Sequence, residues 1–522
     1  MRGAAALALL IALGGCAQDR ASGPAELHFV RGGLLLPTGE AGVAVGGQRF
    51  VARAWKAGER VSESGLSGVA PKLAECVALG GVDLGDVARM VVAGAPAPDT
   101  DLAFSPDGTS LAVGSFRGEV VVIDVATLAV TARRQLAEAM VRRVAWSPDG
   151  KTLYAGEQSP DATLHALDPA TLADRWTLPL AERVGRSSLP AGEELYGVYT
   201  LPGVYGLDVL ADGDLLVAAA HGWTEADGTR KNRSQLLRVS PGGAVRSTWP
   251  AEPADAVLLH PAVDAVGGRV AIPVTRSASG DAAPELPIGG LQLLDLATLA
   301  PAGALVVPPL TPWFTTTYLW QAQDVSVAQD TVLLGLGDGR VVLGDLRGTI
   351  RTTVGAGSPV MAGDVPIAAS VGHGLIHGDE ALYLTSGTNI PWGAAAPDLR
   401  PPSAHPAENS LFAVGLDGAP RWSFHGPWAV QGLTLAPDGR TLVVGAGERT
   451  SDARRDLYGA LLFDLGGEER SGNARLLATC VTEGPVFFRH AVSPQGVVAL
   501  AEVPFPTGDG GVGGAYRVEL FR

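Results

Sequence analysis

The tetrapeptide Ser-Pro-Asp-Gly stands twice in this chain, at Ser105–Gly108 and at Ser147–Gly150. Variants follow at Ala436-Pro437-Asp438-Gly439 and Ser493-Pro494-Gln495-Gly496, with a looser one at Ala211-Asp212-Gly213-Asp214. Each lies between two short apolar runs. Self-similarity spaced by tens of residues marks a repeat architecture, in which a unit buries its apolar face only against its neighbours. No other feature of the sequence limits the fold as much.

The first unit shows how the repeat is built. Leu102-Ala103-Phe104 leads into the turn, and Thr109–Ser115 and Glu119–Val125 form further apolar runs broken by Phe116-Arg117-Gly118. Ala129–Leu136 is the fourth run. Proline presets φ for the first corner of a turn, and Asp-Gly accepts the positive φ that follows. The unit therefore reads as four antiparallel strands joined by tight turns. The second unit repeats the plan from Val144-Ala145-Trp146 to Asp168-Pro169-Ala170-Thr171-Leu172. That closing phrase recurs at Asp124–Leu128 and Asp295–Leu299, and Asp345, Asp417 and Asp464 hold the equivalent place elsewhere. An aspartate suits the corner because its short acceptor bonds to the nearby backbone.

These turns and Asp-x-Ala-Thr-Leu ends resemble the WD40-like and YVTN-type repeats of bacterial β-propellers, in the quinoprotein-like class. The resemblance runs from about Leu102 onward. It implies an all-β fold of four-stranded blades and says little of function, since propellers host many unrelated roles. Unit starts fall near Leu102, Val144, Tyr205, Val257, Gln323, Ser370, Gly432 and Phe488. Eight blades is the favoured count. Seven is the alternative, because the units near Val257 and Ser370 are weakly marked. The last unit, ending at Tyr516–Phe521, has room for three strands, so an N-terminal strand such as Leu27–Leu36 is expected to close the ring. Closure removes the long free edge that invites strand pairing. Arg53–Pro98 lacks the repeat, and the spacing of Leu66, Val69, Leu73, Cys76 and Val77 suggests a helical cap or an irregular start to a blade.

The 522 residues, 46% of them hydrophobic, are ample for one closed ring. The 69 glycines and 37 prolines punctuate apolar runs, as turn chemistry requires. A net charge of −15 argues against nucleic acid and against a basic membrane-binding face. Basic doublets such as Arg133-Arg134, Arg142-Arg143, Arg230-Lys231 and Arg454-Arg455 are scattered and read as ordinary surface.

At the N-terminus, Met1-Arg2 precedes an apolar run, Ala4–Leu13, and then Gly14-Gly15-Cys16. A positive start, a short apolar core and small residues describe a secretory signal over residues 1–15, too short to span a bilayer. The site resembles the lipobox of bacterial lipoproteins. That resemblance implies cleavage before Cys16 and lipidation of its thiol. Ala17 in the next position implies outer-membrane sorting in a Gram-negative envelope; the periplasmic side is favoured, with the surface-exposed face as the alternative. Residues 16–26 would form a tether, and residues 27–522 one propeller domain with clear repeats from residue 102. Cys76 and Cys480 remain. In an exported protein they either pair, tying the segment before the first clear blade to the penultimate one, or stay as buried thiols.

Candidate chemistry is sparse. His373, His377 and Asp379 lie close in sequence, with Glu380, His405 and His425 nearby, and imidazole with carboxylate suits zinc or a similar ion. The stretch is not the zincin pattern, and its glycines suggest a loop whose histidines are satisfied otherwise. A second constellation follows from the propeller expectation, in which the inner strand of each blade begins at one mouth of the channel. Those places hold Arg143, Tyr205, His260, Gln323 with Asp324, His373, Gln431, and Arg489 with His490. Either they form a binding site or they line a water-filled channel. The unit Leu411–Phe424 resembles pyrroloquinoline-quinone-type repeats. Such enzymes, by resemblance, need a stacking indole, a calcium site and often a vicinal disulfide. Trp313, Trp320, Trp392, Trp422 and Trp428 are available, but no two cysteines adjoin, and the expectation is no cofactor. Gly335–Gly339 lacks the setting of a phosphate loop, and there is no Gly-x-Ser-x-Gly elbow.

Polar or Pro-rich inserts at Gly222–Ser234, Ser277–Ile288, Asn389–Glu408 and Glu448–Leu457 are expected to project as recognition loops. The favoured function is a lipid-anchored binding or scaffolding module for a protein partner. The alternative is a quinone- or metal-dependent oxidoreductase using the channel.

Overall fold

Each Ser-Pro-Asp-Gly turn is held by its own side chains. Ser105 Oγ donates to Asp107 Oδ1 at 2.6 Å, and the Thr109 N–H and hydroxyl donate to the same carboxylate at 3.1 and 2.9 Å. Gly108 takes φ +70°, and its N–H reaches the Ser105 carbonyl at 2.8 Å. Ser147 and Asp149 repeat the arrangement at 2.7 Å, with Gly150 at φ +68°. The Asp-x-Ala-Thr-Leu phrase is a second device. Asp124 and Asp295 each accept from the backbone and the hydroxyl of the threonine three residues on, at 2.6 to 2.9 Å. Leu128, Leu172 and Leu299 then adopt φ of 60, 55 and 56°. A left-handed leucine costs about 1–2 kcal/mol, but Leu172 and Leu299 are fully buried, which offsets it.

The computed structural model describes residues 42–45, 48–51, 53–54, 74–85, 100–187, 200–225, 227, 230–275, 286–287, 289–307, 322–337, 339–355, 360–362, 365–367, 369–388, 407, 409–425, 430–447, 458–466, 475–506 and 511–522. Among the described residues, eight four-stranded antiparallel meanders follow one another. Blade 1 is Asp101–Phe104, Ser110–Gly114, Glu119–Asp124 and Val130–Gln135. Blade 2 runs from Met140–Trp146 to Asp174–Pro179, and blade 3 from Gly203–Val209 to Val245–Ala254. Blade 4 has a broken first strand, Val257–Leu258 and Ala262–Asp264, and ends at Pro301–Leu305. Blades 5, 6 and 7 begin with Ala322–Ala328, Ala369–His377 and Val430–Leu435. Blade 8 takes Val486–Val492, Val498–Glu502 and Arg517–Phe521 from the C-terminal end of the sequence, and Ala78–Asp83 as its fourth strand. All eight sequence-derived unit starts fall on first strands.

First strands pack against the next blade all the way round, and Val486–Val492 meets Asp101–Phe104 to complete the circle. They are therefore the inner strands. Second strands are sandwiched between blades: Leu153–Gln158 and Thr331–Leu336 are buried at every position. Fourth strands lie outermost, and Val130–Gln135 alternates between exposed and half-buried positions as a one-sided strand must. Glycines on second strands set the blade spacing. A Cβ on Gly156 would lie 2.6 Å from Val204 of the next blade, and one on Gly335 would lie 2.8 Å from Val371.

Three expectations change. The closing strand is Ala78–Asp83, while Leu27–Leu36 lies outside the described residues. Of the two readings of Arg53–Pro98, a helical cap or an irregular start to a blade, the helix gives way at residues 74–75 and 78–83, which are strands because each finds an open sheet edge to pair with. Gly222–Ser234 is no loop. Leu215–Thr224 and Arg230–Val239 continue as one ten-residue hairpin pair, so most of that insert is strand. Most of the other three inserts lies outside the described residues.

Candidate functional site: the inner-strand bulges

Five inner strands slip register near the same point, while that of blade 1 pairs without a slip. Pairing with the second strand skips a residue between Val141 and Arg143, between Val204 and Gly206, between Ala322 and Asp324, between Val371 and His373, and between Gln431 and Leu433. The extra residues are Arg142, Tyr205, Gln323, Gly372 and Gly432. Blade 4 breaks its strand around His260, and blade 8 loses pairing between Val486 and His490, where Arg489 stands. A bulge re-aims its extra side chain and bends the strand. All nine sequence-chosen mouth positions lie on this level or one residue from it: Arg143, Tyr205, His260, Gln323, Asp324, His373, Gln431, Arg489 and His490. Side chains of Gln323, Asp324 and Arg489 are outside the described set.

At the junction of blades 2 and 3 two bulge residues meet. The Arg142 guanidinium lies over the Tyr205 ring, 4.1 Å from its centroid. Its Nη1 donates to Gln158 Oε1 at 2.6 Å, while Gln158 Nε2 donates to the Leu201 carbonyl at 3.0 Å and approaches Tyr205 Oη at 3.2 Å. Gln158 is fully buried, so both ends of its amide are engaged. Arg143, expected to face the mouth, is buried instead. Its Nε donates to the Tyr205 carbonyl at 2.9 Å and its Nη1 to the Arg142 carbonyl at 2.6 Å. The Arg142-Arg143 doublet, expected as ordinary surface, is instead packed between blades 2 and 3. A register slip makes one arginine the bulge residue and the other a bracket for it, and nothing in a doublet signals which is which.

Other residues of this level are held by local contacts. His260 Nε2 stands 3.5 Å from Asp208 Oδ1, half-exposed, with Gly206 leaving room for its ring. His490 is buried against Gly445, at the seam of blades 7 and 8. Residues 373 and 377 both lie on Ala369–His377, which is a strand and not a loop. Four residues of strand span about 13 Å. His377 Nε2 is bonded to the Gly439 carbonyl at 2.7 Å, and Asp379 is exposed with Arg421 at 3.5 Å. The structure does not gather His373, His377 and Asp379. Among the described residues no group of three or more His, Cys, Asp or Glu side chains is placed to hold a metal ion. Trp422 packs in the core with Arg475 over its ring at 5.1 Å, and Trp428 lies outside the described residues.

One arrangement escaped the sequence reading. Buried His165 is clamped between Glu157 at 2.9 Å and Asp174 at 2.7 Å, and Asp174 in turn accepts from Arg134 of blade 1 at 2.5 Å. Burial pulls the imidazole pKa down, but the two carboxylates outweigh it and hold the ring above the usual histidine value. The cause is that residues far apart in sequence meet through strand pairing and blade contact, which no local pattern encodes. Cys76 and Cys480 are joined, with Cα atoms 4.8 Å apart. Cys16 and residues 1–15 lie outside the described residues.

The ring is similar to the C-terminal WD40 domain of Sif2, with a TM-score of 0.53 and 12% identity over 86% of this chain and 98% of that one. The fold is a β-propeller. Lower similarity links it to BamB from Moraxella catarrhalis, with a TM-score of 0.40 and 13% identity over 66% and 81% of the two chains. The computationally designed Ika8 protein gives 0.47 and 13% over 85% and 99%. No protein-family model and no curated protein matches the sequence. At these identities the likeness speaks for the propeller alone.

Proposed function

We propose that this propeller is a lipid-anchored protein of the bacterial envelope that binds a protein partner at the channel mouth. The observation that carries the reading is the Arg142–Tyr205–Gln158 cluster. Extra residues of two adjacent blades stack on each other and are braced by a buried amide, which pre-organises a cation and an aromatic ring at one level. Arginine and tyrosine are the residue types that dominate binding hot spots between proteins. The Gly14-Gly15-Cys16 site supports the anchor, and Ala17 supports sorting to the outer membrane.

Affinity capture from detergent-solubilised envelopes tests the binding. Wild-type protein is expected to retain a partner in near-stoichiometric amount, and Tyr205→Ala is expected to lose it. A stoichiometric metal or quinone on the purified protein, with no partner retained, would favour the oxidoreductase reading instead. For the anchor, Cys16→Ser is expected to abolish fatty-acid labelling; labelling that persists contradicts it.

A further inference from the structure

The closing segment crosses between two blades at its disulfide. Ala74–Glu75 pairs in parallel with Ala478–Thr479 on the outer strand of blade 7. Two residues later the chain changes partner, and Ala78–Asp83 pairs antiparallel with Arg517–Phe521 of blade 8. The crossing point is Cys76, bonded to Cys480 of blade 7. Val77 and Arg522 exchange N–H···O=C bonds at 2.8 and 2.9 Å, and Leu84 N–H reaches the Tyr516 carbonyl at 2.9 Å.

Few apolar contacts hold this segment. From Val77 to Leu84 only Val82 and Leu84 are buried, whereas Val77 is 66% and Leu79 39% exposed. Each ordered residue costs about 1–2 kcal/mol of backbone entropy, against about 1.5–3 kcal/mol for each buried side chain and a fraction of that for each backbone bond. The pairing is close to balance unless the segment is held near blade 8. The inner part of blade 8 is secured independently. Buried Tyr516 bonds Thr100 Oγ1 at 2.7 Å and accepts from the Phe116 N–H at 2.8 Å, and Gln495 Nε2 donates to the Asp107 carbonyl at 2.8 Å.

From this asymmetry we infer that Cys76–Cys480 is a redox latch on ring closure: when it is reduced, Ala78–Asp83 leaves the edge of Arg517–Phe521 while the eight inner strands stay assembled. A dithiol supplies the two electrons. Its thiolate attacks Cys76 Sγ, the less buried sulfur, forming a mixed disulfide as Cys480 leaves as thiolate and takes a proton. The second thiol of the reagent then displaces Cys76, which also takes a proton, and the reagent is oxidised to a cyclic disulfide. Cys480 sits among Val443, Ala460, Val486 and Leu500, where a thiolate is poorly solvated, so the latch opens slowly. The edge then uncovered is an unpaired strand of the kind other chains can join.

Hydrogen–deuterium exchange on the full chain, with and without dithiothreitol, tests the latch. The expected result is exchange at residues 78–84 and 517–522 faster by about thirtyfold or more on reduction, with blades 2 and 3 unchanged. Cys76→Ser, which leaves the buried Cys480 side chain in place, is expected to reproduce that pattern without reductant. Unchanged exchange at the closing strand overturns the inference. So does acceleration in every blade, which would make the bridge a general support of the fold.

Discussion

At the scale of single residues, local chemistry divides cleanly into parts that act alone and parts that need the ring. Gly439 has φ +65° and nothing within 4 Å of its missing Cβ, so Gly439→Ala is expected to cost only the left-handed conformation, about 1 kcal/mol. Gly156→Ala meets Val204 and forces two blades apart, which is expected to cost about 1–3 kcal/mol. Denaturant unfolding of the two variants checks the order. The turn aspartates give an acid limit. Hydroxyl and backbone donors hold the carboxyls of Asp107, Asp124, Asp149, Asp295 and Asp438 below the ordinary aspartate value, and the Arg440 guanidinium lowers Asp464 to about 2. Folded values below unfolded ones mean stability present above about pH 4 and lost as pH falls through the folded values. Melting temperature is expected to drop steeply between about pH 4 and pH 2. His165 runs the other way, because its folded value is raised. Its contribution is complete below about pH 6.5 and is lost as pH rises through the folded value. The difference in melting temperature between wild type and His165→Gln is therefore expected to shrink from pH 6 to pH 9, whereas a constant difference would show that the charge does no work. The turns were readable because each is built within five residues. Arg142 was not, because its role depends on a register slip and on Tyr205 of the next blade.

At the scale of strands, burial explains both the leucine turns and the strand that sequence reading misplaced. Leu172 is fully buried at positive φ, so Leu172→Ala loses packing without relieving the backbone and is expected to cost about 2–4 kcal/mol by denaturant titration. Ala78–Asp83 reads ALGGVD, with little of the alternation that marks a strand. Its glycines answer to tertiary contact: Leu128 of blade 1 lies 2.6 Å from where a Gly80 Cβ would be. The apolar run Leu27–Leu36 made the better strand by pattern alone. Pattern registers one strand's own apolar face, and a closing strand is selected by the edge it must cover.

For the whole molecule, the repeat carried most of the information, since a closed ring of similar blades needs no other specification of shape. What it left open is where the ring would bind. The proposed answer lies at the bulges: five inner strands slip near the same point, and the expected mouth positions lie on or beside that level. The most direct test of partner binding there is photo-crosslinking in cells from position 205 of the full chain, with the outer-strand position 130 as control. The account predicts a discrete protein adduct from position 205, absent in the presence of Arg142→Ala, and none from position 130. Adducts from position 130 with none from position 205 would contradict it.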